Sequence, residues 1–166
     1  MHDKFKEECG VFGVLNHRDA ANLVYLGLYA LQHRGQESAG IASVEPGTNA
    51  IRVEKEMGYV ADVFTQERLA RLPGDTAIGH VRYSTAGGSM VCNAQPIFAM
   101  TNKGPVALAH NGNLVNGPEL RKQLEAEGAI FSSMSDTEAM VHLIARSKEP
   151  NLERAIVDTL SQCKGA

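Results

Sequence analysis

The sequence predicts an α+β domain, or a layered α/β one, from two features. Short runs of small and β-branched residues fill the first two thirds of the chain, with one early helical stretch among them, and 3.6-residue apolar periodicity takes over in the last third. At 166 residues the chain has the length of one domain with a real core, and it contains no internal repeat, low-complexity tract or interdomain linker.

The elements follow in order. Residues 11–15 read as a strand, and Asp19 to Arg34 as a helix with Leu23, Leu26, Ala30 and Leu31 on its apolar face. Ser38 to Val44 is a second strand, and Glu45-Pro46-Gly47-Thr48-Asn49 is a turn that sends Ala50 to Lys55 back as the partner of a hairpin. Thr76 to Tyr83 and Pro105 to Ala109 are further strands, separated by a polar, glycine-containing loop from Ser84 to Gln95. Pro118 opens a helix that carries Leu120 and Leu124 and stops at Gly128, proline in and glycine out. Ser135-Asp136-Thr137-Glu138 reads as a capping box before a helix with Met140, Val141, Leu143 and Ile144 inward. A last helix spans Asn151 to about Cys163, with Leu152, Ala155, Ile156, Thr159 and Leu160 on one face. Lys164-Gly165-Ala166 then reads as the start of another strand, so the chain is expected to be a fragment of something longer.

Charge and cysteine usage narrow the function. The net charge is -3 with a pI near 6.1, and neither Lys nor Arg clusters, which argues against a nucleic-acid or membrane-surface partner and for a small-molecule substrate. No apolar run approaches a membrane span, and Met1 to Glu8 has no stretch that could serve as a secretory signal, so the expected compartment is the cytoplasm. Cys9, Cys92 and Cys163 are an odd number without a C-x-x-C pair, which suits a reduced environment better than a disulfide framework or a zinc site.

Cys9 is the most informative residue. It heads an apolar strand behind a short polar leader, and removal of that leader would make it the amino terminus. An α-amine with a pKa of about 7.7 to 8.0 could then accept the proton of a thiol with a pKa of about 8.5, placing nucleophile and base on one residue. Its ordinary alternative is a small hydrophobe in a core strand.

Four polar segments stand where strands end or helices begin: His33 to Ser38, Gly79 to Thr85, His110-Asn111-Gly112-Asn113, and Ser135-Asp136. Arg82 could grip a carboxylate through two parallel hydrogen bonds, or be a plain edge-strand arginine. Asn111 with the Gly112 N–H could hold an oxyanion, or form a hairpin turn. Asp136 could neutralise an ammonium, or cap a helix dipole. His80 and His110 read as hydrogen-bonded core or loop residues, since no partner stands at metal-ligand spacing. Cys163 reads as core, and Cys92 has no assigned role. Taken together, a thiol, an oxyanion hole, a cation and an anion suit an α-amino acid whose side chain bears an amide, and glutamine is the obvious one.

From Cys9 to Ala166 the chain resembles the N-terminal glutaminase half of the glutamine phosphoribosylpyrophosphate amidotransferases, also called amidophosphoribosyltransferases. Cys9-Gly10 and the pattern from His33-Arg34-Gly35 through Asp136 are shared broadly among N-terminal-nucleophile amidotransferases. Gln36-Glu37-Ser38-Ala39-Gly40, Val81 to Gly87 and His110 to Leu114 resemble the phosphoribosyl branch. Relatives that aminate fructose 6-phosphate typically have Tyr-Asp in place of Gln36-Glu37 and Arg-Trp-Ala-Thr-His in place of Arg82 to Ala86. A hexosamine-forming glutaminase domain and a catalytically silent glutamine-binding module are the alternatives.

The resemblance implies a four-layer α-β-β-α N-terminal-nucleophile hydrolase sandwich, truncated at its C-terminus, with residues 1–8 as leader and 9–166 as an incomplete amidotransferase domain. It implies that Cys9 attacks the glutamine amide, that Asn111 and Gly112 hold the oxyanion, that Arg82 with Thr85 nearby binds the α-carboxylate, and that Asp136 binds the α-ammonium. Arg34 and Tyr83 would couple glutamine binding to a second active site. Glu8 would donate the carbonyl that Cys9 attacks to release the leader. In a complete member, ammonia passes to a phosphoribosyltransferase domain, absent here, that uses phosphoribosyl pyrophosphate and magnesium to make 5-phosphoribosylamine for purine synthesis. An iron–sulfur cluster and homo-oligomeric assembly would also belong to that complete protein, and no cofactor is expected in this fragment.

Overall fold

The computed structural model describes residues 9–83 and 89–165. Strand β1 (Gly10–Val14) lies antiparallel to β4 (Ala77–Arg82), which pairs with β2 (Ser38–Val44), which pairs with β3 (Ile51–Met57), giving a four-stranded sheet of order β1-β4-β2-β3. The β2–β3 hairpin turns through Gly47 and Asn49, both at positive φ, where glycine and asparagine are tolerated best. Strands β5 (Ile97–Thr101) and β6 (Gly104–Leu108) form a separate two-stranded sheet.

Helix α1 (Ala20–Ala30) covers one face of the larger sheet, and β6 approaches β3 on the other side. Helix α5 (Asp136–Arg146) packs on β5 and β6, with α4 (Gly117–Ala126) and α6 (Leu152–Gln162) against it. The order helix, sheet, sheet, helix agrees with the expected sandwich. Two short helices, α2 (Val60–Val63) and α3 (Gln66–Leu69), close the end of the first core after β3.

Strand alternation decides what each face carries. Gly79 faces α1: a Cβ there would stand 2.5 Å from Val24 Cγ1 and 2.7 Å from Leu28 Cδ1, so the absence of a side chain lets the helix sink onto the sheet. Val24, Leu28, Ile41 and Val81 are fully buried in this layer. Gly40 points the other way, where a Cβ would lie 2.1 Å from the Gln95 carbonyl oxygen. Here the first sheet meets the segment that leads into β5, and Lys55 Nζ reinforces the contact by donating to the carbonyls of Ala94 at 2.6 Å and Pro96 at 3.4 Å. Burial of that ammonium lowers the Lys55 pKa from its ordinary value. A second core joins Leu114, Leu120, Leu124, Ala139, Met140 and Leu143.

Several expectations need correction. The first helix stops at Ala30, and Gln32–Arg34 form a 3-10 turn that leads into Gly35. Its inward face is Ala20, Ala21, Val24 and Leu28, whereas Leu26 and Ala30 are exposed and Leu23 and Leu31 half-buried, because contact with Gly79 fixes the rotation of the helix. A 3-10 turn at Val91–Asn93 falls inside the loop expected to run to Gln95, and β5 occupies the stretch between that loop and the strand expected from Pro105, where the sequence suggests no element. In α6, Ala155 and Thr159 are buried while Ile156 and Leu160 are exposed. The capping box at Ser135 is half formed. Ser135 Oγ accepts from Thr137 N–H, but Glu138 turns to Ser132 and Ser133 instead of reaching back. The strand expected at the chain's end is represented by an antiparallel bridge of Leu114 with Gly165, where Val115 N–H donates to the Lys164 carbonyl at 2.8 Å.

Two glycines on the sheet face away from α1 predict different tolerance to a methyl group. Gly40→Ala should lower the unfolding free energy by about 1–3 kcal/mol, because the obstacle is backbone and cannot rotate away. Gly13→Ala, whose Cβ would meet only Ile78 Cγ2 at 3.7 Å and the Ala77 carbonyl at 3.9 Å, should change it by less than about 0.5 kcal/mol. Urea titrations of the two variants measure the contrast.

Candidate active site

The pairing of β1 with β4 brings the predicted nucleophile and the predicted carboxylate receptor together. Gly10 stands opposite Val81, so the next position along the ladder sets Cys9 beside Arg82, on the face away from α1. Cys9 has φ of 55°, a left-handed backbone that turns it out of the strand. The Tyr83 backbone brackets the thiol: its N–H donates to Sγ at 3.4 Å, and Sγ donates to its carbonyl at 3.8 Å. Arg34 Nε donates to the Cys9 carbonyl at 2.8 Å, so the turn after α1 holds the backbone of the nucleophile.

These residues open onto a cavity of about 280 Å³ lined by Cys9, Arg82, Tyr83, Gly112, Asn113 and Asp136, among others. Its far wall is the start of α5. Asp136 Oδ2 accepts from Leu114 N–H at 2.8 Å, and His110 Nδ1 lies 3.8 Å from Oδ1, a close electrostatic neighbour. Burial pushes the Asp136 carboxyl upward, but His110 and the N–H groups of Leu114 and Thr137 outweigh it and hold the pKa below the usual value, so the group is an anion at neutral pH. Asp136 therefore offers negative charge to the cavity while also standing in the first turn of a helix.

Arg82 lines the same cavity, and its Nη1 donates to Glu37 Oε1 at 2.6 Å. Cation, anion and thiol thus line one cavity from three separate elements. Asn111, Gly112 and Asn113 are all exposed, and of the three Gly112 and Asn113 line the cavity while Asn111 does not. Tyr83 lines the cavity with its side chain half-exposed. Glu8 and Thr85 lie outside the described residues.

Sequence reasoning missed the supports. Gln95 Oε1 accepts from His110 N–H at 2.7 Å and so ties together two segments that line the cavity. Glu138 accepts four hydrogen bonds at 2.6–2.9 Å, from the N–H and the hydroxyl of both Ser132 and Ser133. Burial raises its pKa, but those donors prevail and lower it. The clamped segment carries Phe131, Met134 and Ser135 to the rim, where Asn93 Oδ1 accepts from Met134 N–H at 2.8 Å and the Arg121 guanidinium stacks 4.1 Å above the Phe131 ring. The Ser-Ser pair before Glu138 was visible in the sequence; its role depends on a turn that local periodicity does not encode. Cys163 packs beside the second core as expected, and burial raises its pKa with Asp136 adding to the shift.

His80 sits beneath the site, fully buried, with Nε2 3.2 Å from the His110 carbonyl. Burial lowers its pKa to about 4. Among the described residues no three His, Cys, Asp or Glu side chains are grouped to hold a metal ion, and no helix is long and apolar enough to cross a membrane.

Comparison with known proteins fits this geometry. The glutamine amidotransferase domain family matches residues 80–166. The chain is 51% identical to the amidophosphoribosyltransferase of Rhizobium etli over 164 residues, covering 98% of this chain and 33% of that protein. Identity to the amidophosphoribosyltransferase of Bacillus subtilis is 48% over 161 residues, covering 96% and 33% respectively. A solved structure described as the allosteric regulatory enzyme of purine biosynthesis superposes with a TM-score of 0.88 at 46% identity, over 94% of this chain and 33% of that one. The chain thus spans about a third of the length of the relatives it matches.

The buried imidazole gives a pH prediction. His80 is neutral when folded and titrates near its ordinary 6.5 when unfolded, so the unfolded chain binds more protons between these values. Stability is therefore fully present above pH 6.5 and falls as pH drops toward about 4, by up to ~3 kcal/mol from this group. Urea midpoints measured across that window should show a steeper decline for the native chain than for His80→Gln.

Proposed function

Because the chain belongs to the glutamine amidotransferase domain family, we propose that it is the glutaminase part of an amidophosphoribosyltransferase, releasing ammonia from the side-chain amide of glutamine. The observation that carries the reading is the convergence of Cys9, Arg82, Gly112 and Asp136 on one cavity from four separate segments.

In this reading Arg82 pairs with the α-carboxylate and the Asp136 anion with the α-ammonium, which leaves the side-chain amide directed at Cys9. The thiol gives its proton to the freed α-amine of Cys9, and sulfur attacks the amide carbon. The Gly112 N–H and the Asn111 side chain stabilise the tetrahedral oxyanion. Asn111 adjoins the cavity lining through Gly112 and would have to bring its amide to the cavity to do so. Collapse of the intermediate protonates and expels ammonia, and water then hydrolyses the thioester to glutamate. Thr85 adds to the carboxylate site, and Arg34 and Tyr83 transmit occupancy through Cys9, Arg34 by its hold on the Cys9 carbonyl and Tyr83 by its backbone contacts to the thiol.

The thiol is competent only with a free amine, so the leader through Glu8 must leave first. Attack of Cys9 Sγ on the Glu8 carbonyl converts the peptide bond to a thioester and frees the amine, and water completes the release. In the complete cytoplasmic protein, ammonia would replace pyrophosphate on phosphoribosyl pyrophosphate with magnesium present, the acceptor step being carried by a further domain of a homo-oligomer. The described residues group no ligand set for magnesium or an iron–sulfur cluster, and no step here passes through either.

A glutamine analogue with an electrophile at the γ-position should alkylate Cys9, and intact-mass analysis should show a chain eight residues shorter carrying one adduct. Processed protein that fails to react would favour a silent glutamine-binding module. An active protein that keeps Glu8 would sink the proposed release.

A further inference from the structure

Arg82 is not held by its own strand alone. Its carboxylate partner, Glu37, comes from the neighbouring strand one residue before β2, and both side chains are only 10% exposed. The backbone fixes that partner on two sides: Glu37 N–H donates to the Arg82 carbonyl at 3.0 Å, and Gly58 N–H donates to the Glu37 carbonyl at 2.8 Å. Glu37 Oε1 meets Nη1 at 2.6 Å, while Oε2 is buried with no hydrogen-bond partner among the described residues. The pair therefore forms between two adjacent strand ends that cannot move independently.

Net stability does not account for this arrangement. The Coulomb attraction of a buried ion pair is largely offset by desolvation of both charges, the more so when one carboxylate oxygen goes unsatisfied. What the contact does fix is direction. A guanidinium is a flat fork on a long flexible stem, and a carboxylate bound to one Nη restricts its orientation with respect to the cavity that Arg82 lines.

We infer that Glu37 is a positioning residue for the substrate carboxylate, acting through Arg82 by holding the guanidinium at the cavity wall. This rests on the reading above, in which Arg82 receives the α-carboxylate of glutamine. Glu37 touches no reacting atom, so its loss should weaken binding while leaving the chemical step at Cys9 nearly intact.

The test compares L-glutamine with 4-aminobutanamide, the same amide without the α-carboxylate, in the complete processed protein. Glu37→Gln keeps size and an acceptor but removes the charge, and should raise KM for glutamine about tenfold with kcat within about twofold. It should leave kcat/KM for 4-aminobutanamide unchanged. Glu37→Asp keeps the charge on a shorter arm and should fall between the two, which covers the case in which the glutamine variant folds poorly. An unchanged KM for glutamine in both variants, or an equal loss on both amides, overturns the inference. Arg82→Ala separates the two levels of the argument: it should abolish discrimination between the amides. If it does not, the assignment of Arg82 to the carboxylate has failed. If it does while both Glu37 variants behave as wild type, only the role of Glu37 has failed.

Discussion

The antiparallel register of β1 on β4 is the constraint on which the site depends. One ladder sets Cys9 beside Arg82, brings the thiol under the Tyr83 backbone and leaves both on the face opposite α1. A slip of one residue would turn every side chain of β1 to the other face and drive Cys9 toward the helix. That register is specified by close packing. Phe12 of β1 packs where a Cβ at Gly27 of α1 would stand 2.4 Å from its ring, Gly10 of β1 leaves only 3.0 Å between its Cβ position and Val81 Cγ2 of β4, and Gly79 of β4 admits Val24 and Leu28 of the same helix.

Around that rigid centre the cavity is completed by loops, and each is tied by a polar side chain from elsewhere in the chain. Gln95 holds the segment of His110, Glu138 holds Ser132 and Ser133, Asn93 holds Met134, and Lys55 holds the carbonyls around Gln95. Loops at a binding site have few apolar contacts of their own, so hydrogen bonds to buried acceptors do the work that packing does in the core. The same buried surroundings keep His80 neutral, while local donors keep Asp136 and Glu138 ionised. Burial disfavours charge on all three groups; donors around the two carboxylates outweigh it, whereas the imidazole has one backbone acceptor and the nearby Arg82 cation adds to the burial effect.

Much of the fold was legible where a local rule had no competitor. Ser38 to Val44 is a strand with the bounds read from its composition, the turn at Gly47 and Asn49 makes its hairpin, and Pro118 and Gly128 bracket α4. Local rules fell short where tertiary contact overruled them. Leucines at 23, 26 and 31 suggested one face for α1, but Gly79 admits Val24 and Leu28 instead. Strand β5 is short, follows Pro96 and exposes Phe98 and Met100, so its alternation was lost in the polar loop before it. Glu138 obeyed the spacing of a capping box and still chose other donors, because two serines with four groups to offer make a better site than one N–H.

By itself the sequence determined the chemical types available: a thiol behind a leader, an arginine at a strand end, an Asn-Gly pair and an aspartate opening a helix. Those are properties of residue identity and short spacing, and they suffice to suggest a glutamine-directed site. Only the tertiary structure decided that four distant segments share one cavity, that Arg34 grips the Cys9 backbone, and that Arg82 enters the site already paired with Glu37. Strand register and loop closure set those relations, and both depend on contacts between residues tens of positions apart, where local propensity carries no information.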